Sequence, residues 1–313
     1  MSSPKFDILT IADTCIDLVL DLGDILPKFG QVEQWIPDYF VEMGGSACIF
    51  ACQAAKLGMR VGIIGRVGKD DFGKLILRRL DESGVDIRYM SMDPGLKTGF
   101  GVALCKPSGD RSILTYGGSL NQVFEQDITD EFLQSGKHLH YCSYYLQNNL
   151  RSHLPKILTK ARQFGLTISL DTNWDPEGIW KGDLHQVLPF VDLFFPNEQE
   201  AMAIADKNNI NEAIDYYLSM IQVMSIKHGE KGSITATQDQ RFTTPVEIVT
   251  HVVDTIGAGD SFDAGFLTAW LKGLSLEKCA EIANTCGRAN TLSQGGIQGQ
   301  LTRQNFPLLS YGN

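Results

Sequence analysis

Short apolar runs alternate along this chain with stretches whose apolar residues recur at helical spacing, and nothing else restricts its fold as much. Residues 6–12, 61–65, 138–143, 167–171, 191–195 and 223–227 read as buried strands. Residues 47–57, 74–83, 150–164, 182–188, 197–205 and 276–292 read as helices. Strands separated by helices are joined by crossovers, which is how parallel neighbours are connected. The expected class is therefore α/β, with a doubly wound, mostly parallel sheet flanked by helices. The texture changes at 98–115, where 99–106 and 111–115 flank a Pro107-Ser-Gly-Asp110 turn and read as a β-hairpin. With residues 17–39 it would form a small separate sheet, a β lid, from strands within about 14–42 and 97–117. No repeat, low-complexity tract or linker splits the chain, so 1–313 reads as a single domain with the lid strands inserted.

The chemistry gathers near the C-terminus. A β-rich run at 246–253 leads into Asp254-Thr-Ile-Gly-Ala-Gly-Asp-Ser-Phe-Asp-Ala-Gly-Phe266, and helical spacing continues through Ala269, Trp270 and Leu274. A strand entering a glycine turn that opens a helix aims unpaired N–H groups and a positive dipole end at one spot, which suits an anion. Gly257 and Gly259 have no Cβ, so a phosphate can approach the backbone. Asp260 would repel that phosphate, but its presence makes sense if it takes a proton from an attacking hydroxyl. A lone Gly-x-Gly-Asp is equally well explained as an ordinary helix start with Asp in its first turn.

The full segment resembles the C-terminal signature of the ribokinase-like (PfkB) carbohydrate kinases, Asp-Thr-x-Gly-Ala-Gly-Asp-x-Phe. The resemblance implies that Asp260 is the catalytic base and that the backbone of Gly257, Ala258 and Gly259 is the anion hole. It also reverses the reading of Asn197 and Glu200, which spacing alone gives as an N-cap and its capping-box partner. In the family, Asn-x-x-Glu organises Mg²⁺ and phosphate, so Asn197 falls in the nucleotide site and Glu200 holds Mg²⁺ through water. Lys227, Gly229 and Gly232 match the strand and Gly-x-x-Gly turn beside the nucleotide, otherwise a plain β-turn. Asn284 falls on the helix that packs against adenine.

At the sugar end, Asp17 matches the family carboxylate that accepts hydrogen bonds from two hydroxyls, and Gly44 and Gly45 match the Gly-Gly turn. Ile49 stands where the family usually has Asn. Asp171, Asn173 and Trp180 resemble the Asp-x-Asn-x-Arg…Trp stretch of fructokinase and 2-keto-3-deoxygluconate kinase relatives. Asp175 replaces the Arg of that stretch, which would repel an anionic substrate and favours a neutral sugar. Gly65, Gly68 and Gly73 also fit the family; they lack dinucleotide-binding spacing, and the chain has no P-loop motif. Some members hold K⁺ with carbonyls beside the Asp-Thr-x-Gly motif and from the C-terminal loop, positions occupied here by Asp254, Ile256, Ser293 and Gly295.

The resemblance thus implies an ATP-dependent, Mg²⁺-requiring kinase of a small neutral sugar, with relatives that pair lids into homodimers. A nucleoside kinase, favoured by an apolar pocket around Phe40, Phe100 and Tyr144, and a non-catalytic binding paralogue remain open. A net charge of −10 argues against nucleic acid as a partner. Neither a signal pattern nor an 18-residue apolar run is expected to bring it to a membrane. Seven scattered cysteines without zinc spacing read as free thiols, hence the cytoplasm.

Overall fold

The computed structural model describes residues 4–108, 110–180 and 184–304. The expected 182–188 helix is seen as Leu184–Val187; Gly109 of the hairpin turn and residues 182–183 lie outside the described residues. The strands are β1 Phe6–Ile11, β2 Cys15–Asp21, β3 Asp38–Gly44, β4 Val61–Gly68, β5 Asp86–Asp93, β6 Gly99–Cys105 and β7 Arg111–Tyr116. They continue as β8 Gly136–Tyr141, β9 Thr167–Leu170, β10 Leu193–Phe194, β11 Val223–Lys227, β12 Ser233–Ala236 and β13 Arg241–Thr244.

Nine of these form one sheet in the order β13-β12-β11-β10-β9-β8-β1-β4-β5. Pairing is parallel from β5 to β11, and the β12 and β13 edge is antiparallel. Successive side chains of β1 feed different cores: Phe6, Leu9 and Ile11 pack on one face and Ile8 on the other. The Leu154–Gln163 and Ile210–Leu218 helices cover the first face. The Ser46–Lys56, Asp71–Glu82, Ala258–Leu271 and Leu276–Asn290 helices cover the second. Each fully buried Ile, Leu or Phe contributes roughly 1.5–3 kcal/mol, so two such faces dominate the stability of the fold.

Chain order decides where a ligand fits. From β1 the chain moves outward to β4 and β5, then returns to place β8 on the other side of β1. The β1/β8 boundary is thus the topological switch point, and the crevice beyond its carboxyl ends is where open α/β sheets bind ligands. A second sheet, β3-β2-β6-β7, stands beside that crevice.

The structure departs from the sequence reading at several points. Residues 246–253 are not a strand: Pro245 has no N–H to extend β13, and Ile248, Val252 and Val253 are exposed. An irregular segment therefore feeds the glycine turn. The expected 150–164 helix is two, Asn148–Arg151 and Leu154–Gln163, the second opening with Pro155 in its first turn. The edge strands β5, β12 and β13 and the Ile210–Leu218 helix were not expected.

Candidate active site

Gly257 caps the Ala258–Leu271 helix in the left-handed region at φ 74°. A Cβ there would lie 2.7 Å from Gly296 Cα and 2.9 Å from Ile49 Cγ2, so any side chain would force this turn apart. Ile49 is thus a buried packing residue beneath the glycine turn. In the first turn of this helix, Gly259 and Asp260 present N–H groups that have no intrahelical acceptor.

Asp260 is half-buried at this helix start. Burial, followed by the Asp171 charge, pushes its carboxyl well above the usual range, while Lys227 pulls the other way. Desolvation thus makes Asp260 a stronger base than an exposed carboxylate.

Beneath the turn, Lys227 Nζ at the end of β11 lies 2.7 Å from Asp171 Oδ2 and 3.4 Å from both oxygens of Asp263. A Cβ on Gly259 would sit 3.5 Å from the same ammonium. The structure therefore joins Asp171, expected among sugar contacts, to Lys227, expected beside the nucleotide. Burial lowers the Lys227 pKa, but Asp171 and Asp263 more than reverse it, so the lysine stays charged. Burial holds Asp263 far above the ordinary range, while the Lys227 charge pulls Asp171 below it. Asp263 was missed in the sequence, although it lies one helical turn beyond Asp260.

Asn197 and Glu200 form a reciprocal capping box, with both N–H···O distances 2.9 Å. Burial, then Asp171, pushes Glu200 up to about 7. The main chain ties Asn197 to Lys227 through a parallel bridge. Both line a cleft of about 320 Å³ with His228, Gly229 and Lys231. Gly229 (φ 57°) and Gly232 (φ 90°) turn the chain there, and a Cβ on Gly232 would collide with the Thr244 carbonyl. Asn284 is committed elsewhere: its Nδ2 donates to the Thr244 carbonyl at 2.9 Å and the Pro245 carbonyl at 3.4 Å. Among the described residues no group of three or more His, Cys, Asp or Glu could hold a metal ion. A Glu200 carboxylate alone fits a Mg²⁺ held largely by water and phosphate rather than by a protein cage.

Asp17 lies on β2, facing Gly44, where a Cβ would collide with its carboxylate. Burial, then Asp254, Asp13 and Glu42, raises it to about 7 against the pull of Arg111. Gly45, left-handed at φ 86°, offers no side chain to cap the Ser46–Lys56 helix. Asp13, just beyond β1, does so instead, accepting from the Ser46 N–H at 3.0 Å and the Ala47 N–H at 2.9 Å. Asp13 was missed in the sequence; a carboxylate immediately after an apolar strand was its only signal.

Two expectations at this end need correction. Asp175 does not confront a substrate: its carboxylate accepts from the N–H groups of Glu177 (3.0 Å), Ile179 (3.0 Å) and Trp180 (2.7 Å). It closes a loop, so its charge says nothing about the substrate. Tyr144 is fully buried in the core, so it cannot line a nucleoside pocket with Phe40 and Phe100. Asp254 accepts from Ile256 N–H at 3.0 Å and Gly295 N–H at 2.9 Å, drawing the 254–256 and 293–295 segments together. Asn290 Nδ2 donates to the Ile256 carbonyl at 2.6 Å, and its buried Oδ1 has no hydrogen-bond partner among the described residues.

Residues 5–303 match the family described as pfkB family carbohydrate kinase. An ATP-dependent ribose-1-phosphate kinase of Halopiger xanaduensis is 29% identical, over 80% of this chain and 81% of its own. A fructokinase of Escherichia coli is 29% identical, over 84% and 90% respectively. A solved structure of a putative ribokinase II from E. coli in complex with ATP and Mg²⁺ shares the fold with a TM-score of 0.84. It covers 97% of this chain and 99% of its own at 24% identity.

Proposed function

We propose that this chain, which belongs to the pfkB family of carbohydrate kinases, transfers the γ-phosphoryl group of ATP to a hydroxyl of a small neutral sugar. The observation that carries the reading is Asp260 in the first turn of a glycine-capped helix, with the Lys227 ammonium beneath the same turn. The sugar hydroxyl gives its proton to Asp260 as its oxygen bonds to the γ-phosphorus, and ADP leaves with the bridging oxygen. The N–H groups of the 257–259 backbone receive the charge on the transferring phosphoryl, and Lys227 adds a fixed positive charge.

Asn197 and Gly229 line the cleft that would take the nucleotide, Gly232 ends its turn against the Thr244 carbonyl, and Asn284 holds that carbonyl. Bound Mg²⁺ would neutralise phosphate charge, with Glu200 holding it through water. Asp17, with Gly44 and Gly45, receives the sugar hydroxyls. The neutral-sugar reading now rests on Asp17, Asp254 and Asp13, since Arg79 pairs with Glu42 through both of its oxygens. Asp254, Ile256, Ser293 and Gly295 would hold K⁺ through carbonyls, and the unpartnered Asn290 Oδ1 beside them fits such a site.

The second sheet carries exposed Tyr39, Ile113, Leu114 and Tyr116, an apolar surface suited to pairing with a second copy. Light scattering should give a dimer mass that Leu114→Asp reduces to a monomer; a monomeric wild type would refute the pairing. No helix among the described residues is long and apolar enough to cross a membrane, and the described cysteines are free, in keeping with the cytoplasm.

The function is tested by ADP release from ATP with D-ribose, D-fructose, ribose 1-phosphate and adenosine as separate acceptors. Turnover should be highest on a neutral sugar. Turnover on none, or faster turnover on ribose 1-phosphate than on either sugar, would contradict this reading.

A further inference from the structure

Gly101 stands where packing would accept a side chain. It lies inside β6, paired with Asp17 of β2 on one side and Thr115 of β7 on the other. Glycine weakens a strand interior, and there it often marks the close approach of another group. Gly44 and Gly99 are explained within the protein: a Cβ would drive the first into the Asp17 carboxylate and the second into the Gly117 carbonyl. The Gly101 backbone is not left-handed. A Cβ on it would have Asp17 Oδ1 at 3.7 Å and Ile113 Cγ2 at 3.9 Å as its nearest contacts from other strands. An alanine would fit without strain, yet this half-buried position leaves the space beside Asp17 open.

The two distances describe what would fill that space. A carbon bearing a hydroxyl lies roughly 3.6 Å from the oxygen that accepts the hydroxyl proton. Two aliphatic carbons pack at about 3.5–4.0 Å. A hydroxymethyl group meets both conditions at once, its carbon resting on the Ile113 methyl while its hydroxyl donates to Asp17. The reacting hydroxyl must reach Asp260 instead, so this group is additional to the one phosphorylated. A ketose in ring form carries such a hydroxymethyl on its anomeric carbon, and the matching aldopentose lacks it. We infer that Gly101 is a specificity-determining residue that reserves room for this group, which makes the acceptor a ketose. That assignment rests on the sugar meeting Asp17, as proposed above.

The test compares two pairs of acceptors in which ketose and aldopentose differ only by that carbon and its hydroxyl: D-fructose with D-arabinose, and D-psicose with D-ribose. For the wild type, kcat/KM should be about 10- to 100-fold higher on the ketose of at least one pair, the scale of one methylene-sized group in a fitted pocket. Gly101→Ala puts a methyl into the space and should lower kcat/KM on that ketose by a similar factor. The same variant should keep the matching aldopentose within about threefold and melt no lower than wild type, since its backbone suits alanine. The ketose-to-aldopentose ratio within one preparation is insensitive to any unfolded fraction. No ketose preference in either pair, a Gly101→Ala ketose value within about threefold of wild type, or an equal loss on ketose and aldopentose would each overturn the inference. Turnover by the wild type on none of the four sugars would instead contradict the function on which it rests.

Discussion

Lys227 lies 2.7 Å from Asp171 and 3.4 Å from Asp263, and these two carboxylates come from opposite sides of the glycine turn. Asp171 immediately follows β9 of the central sheet, whereas Asp263 belongs to the helix that the turn opens. One ammonium therefore clamps the helix start onto the sheet. The clamp also places a cation within 3.5 Å of the position a Gly259 Cβ would take. On the proposed function, stability and phosphoryl binding converge on one side chain.

Removing that charge should separate the two roles. Lys227→Met strands a buried Asp171 charge and should destabilise the protein by about 3–5 kcal/mol. Adding Asp171→Asn should recover much of that loss by removing the orphan charge, while kcat stays depressed. Thermal melts and kcat of both variants test this. Recovery of activity together with stability would reduce Lys227 to a structural clamp.

The sugar end should respond to pH. Asp17 is raised to about 7, so it keeps its proton at pH 6 and is ionised at pH 8. A carboxylate accepts from hydroxyls more strongly than a carboxylic acid, so sugar KM should fall as pH rises between these values. Because the folded pKa exceeds the unfolded one, the linked stability is full below about pH 4 and lost as pH rises through 7. Asp17→Asn should flatten the KM profile and gain stability over wild type toward pH 8. A KM profile equally steep in the variant would assign the titration to another group.

Glu200 should govern the need for Mg²⁺. Glu200→Gln keeps an oxygen for the Asn197 N–H, so the capping box and fold should persist. The Mg²⁺ concentration giving half-maximal rate should rise by roughly 10- to 100-fold, the usual cost of losing an outer-shell partner. An unchanged Mg²⁺ requirement would leave Glu200 as a helix cap only.

Potassium should raise turnover over sodium at constant ionic strength, because Asp254 and Asn290 hold the carbonyl-bearing segments side by side. Asn290→Leu, which removes both the clamp on Ile256 and the unpartnered oxygen, should abolish the difference. Equal rates in the two salts would remove the cation from the account.

The sheet centre was legible because strands buried on both faces read as mostly apolar runs, as residues 6–12 and 61–65 do. Edge strand β5 was not, since Asp86, Arg88 and Asp93 give it the polarity of a loop. Residues 246–253 misled in the opposite direction, because their β-branched residues pack on no strand. In the site, local motifs survived best: the glycine turn and the Asn197–Glu200 box are each built from neighbours in sequence. Partnerships across the chain did not. Ser46 and Asn173 are 127 residues apart, and no spacing rule joins them. Asp175 shows the related error, a charge assigned to a substrate when three adjacent N–H groups had already claimed it.

The central claim is that Asp260 takes the proton of the acceptor hydroxyl, and Asp260→Asn tests it most directly. Asn is nearly isosteric and removes a carboxylate that burial already disfavours in its charged form, so the variant should fold at least as stably at pH 8 as wild type. ATP affinity should be retained. On the best acceptor, kcat of the folded variant should fall by about 10²–10⁴-fold, the range for loss of general base catalysis. A kcat within about tenfold of wild type would contradict the account, because a residue doing that proton transfer cannot be dispensed with so cheaply.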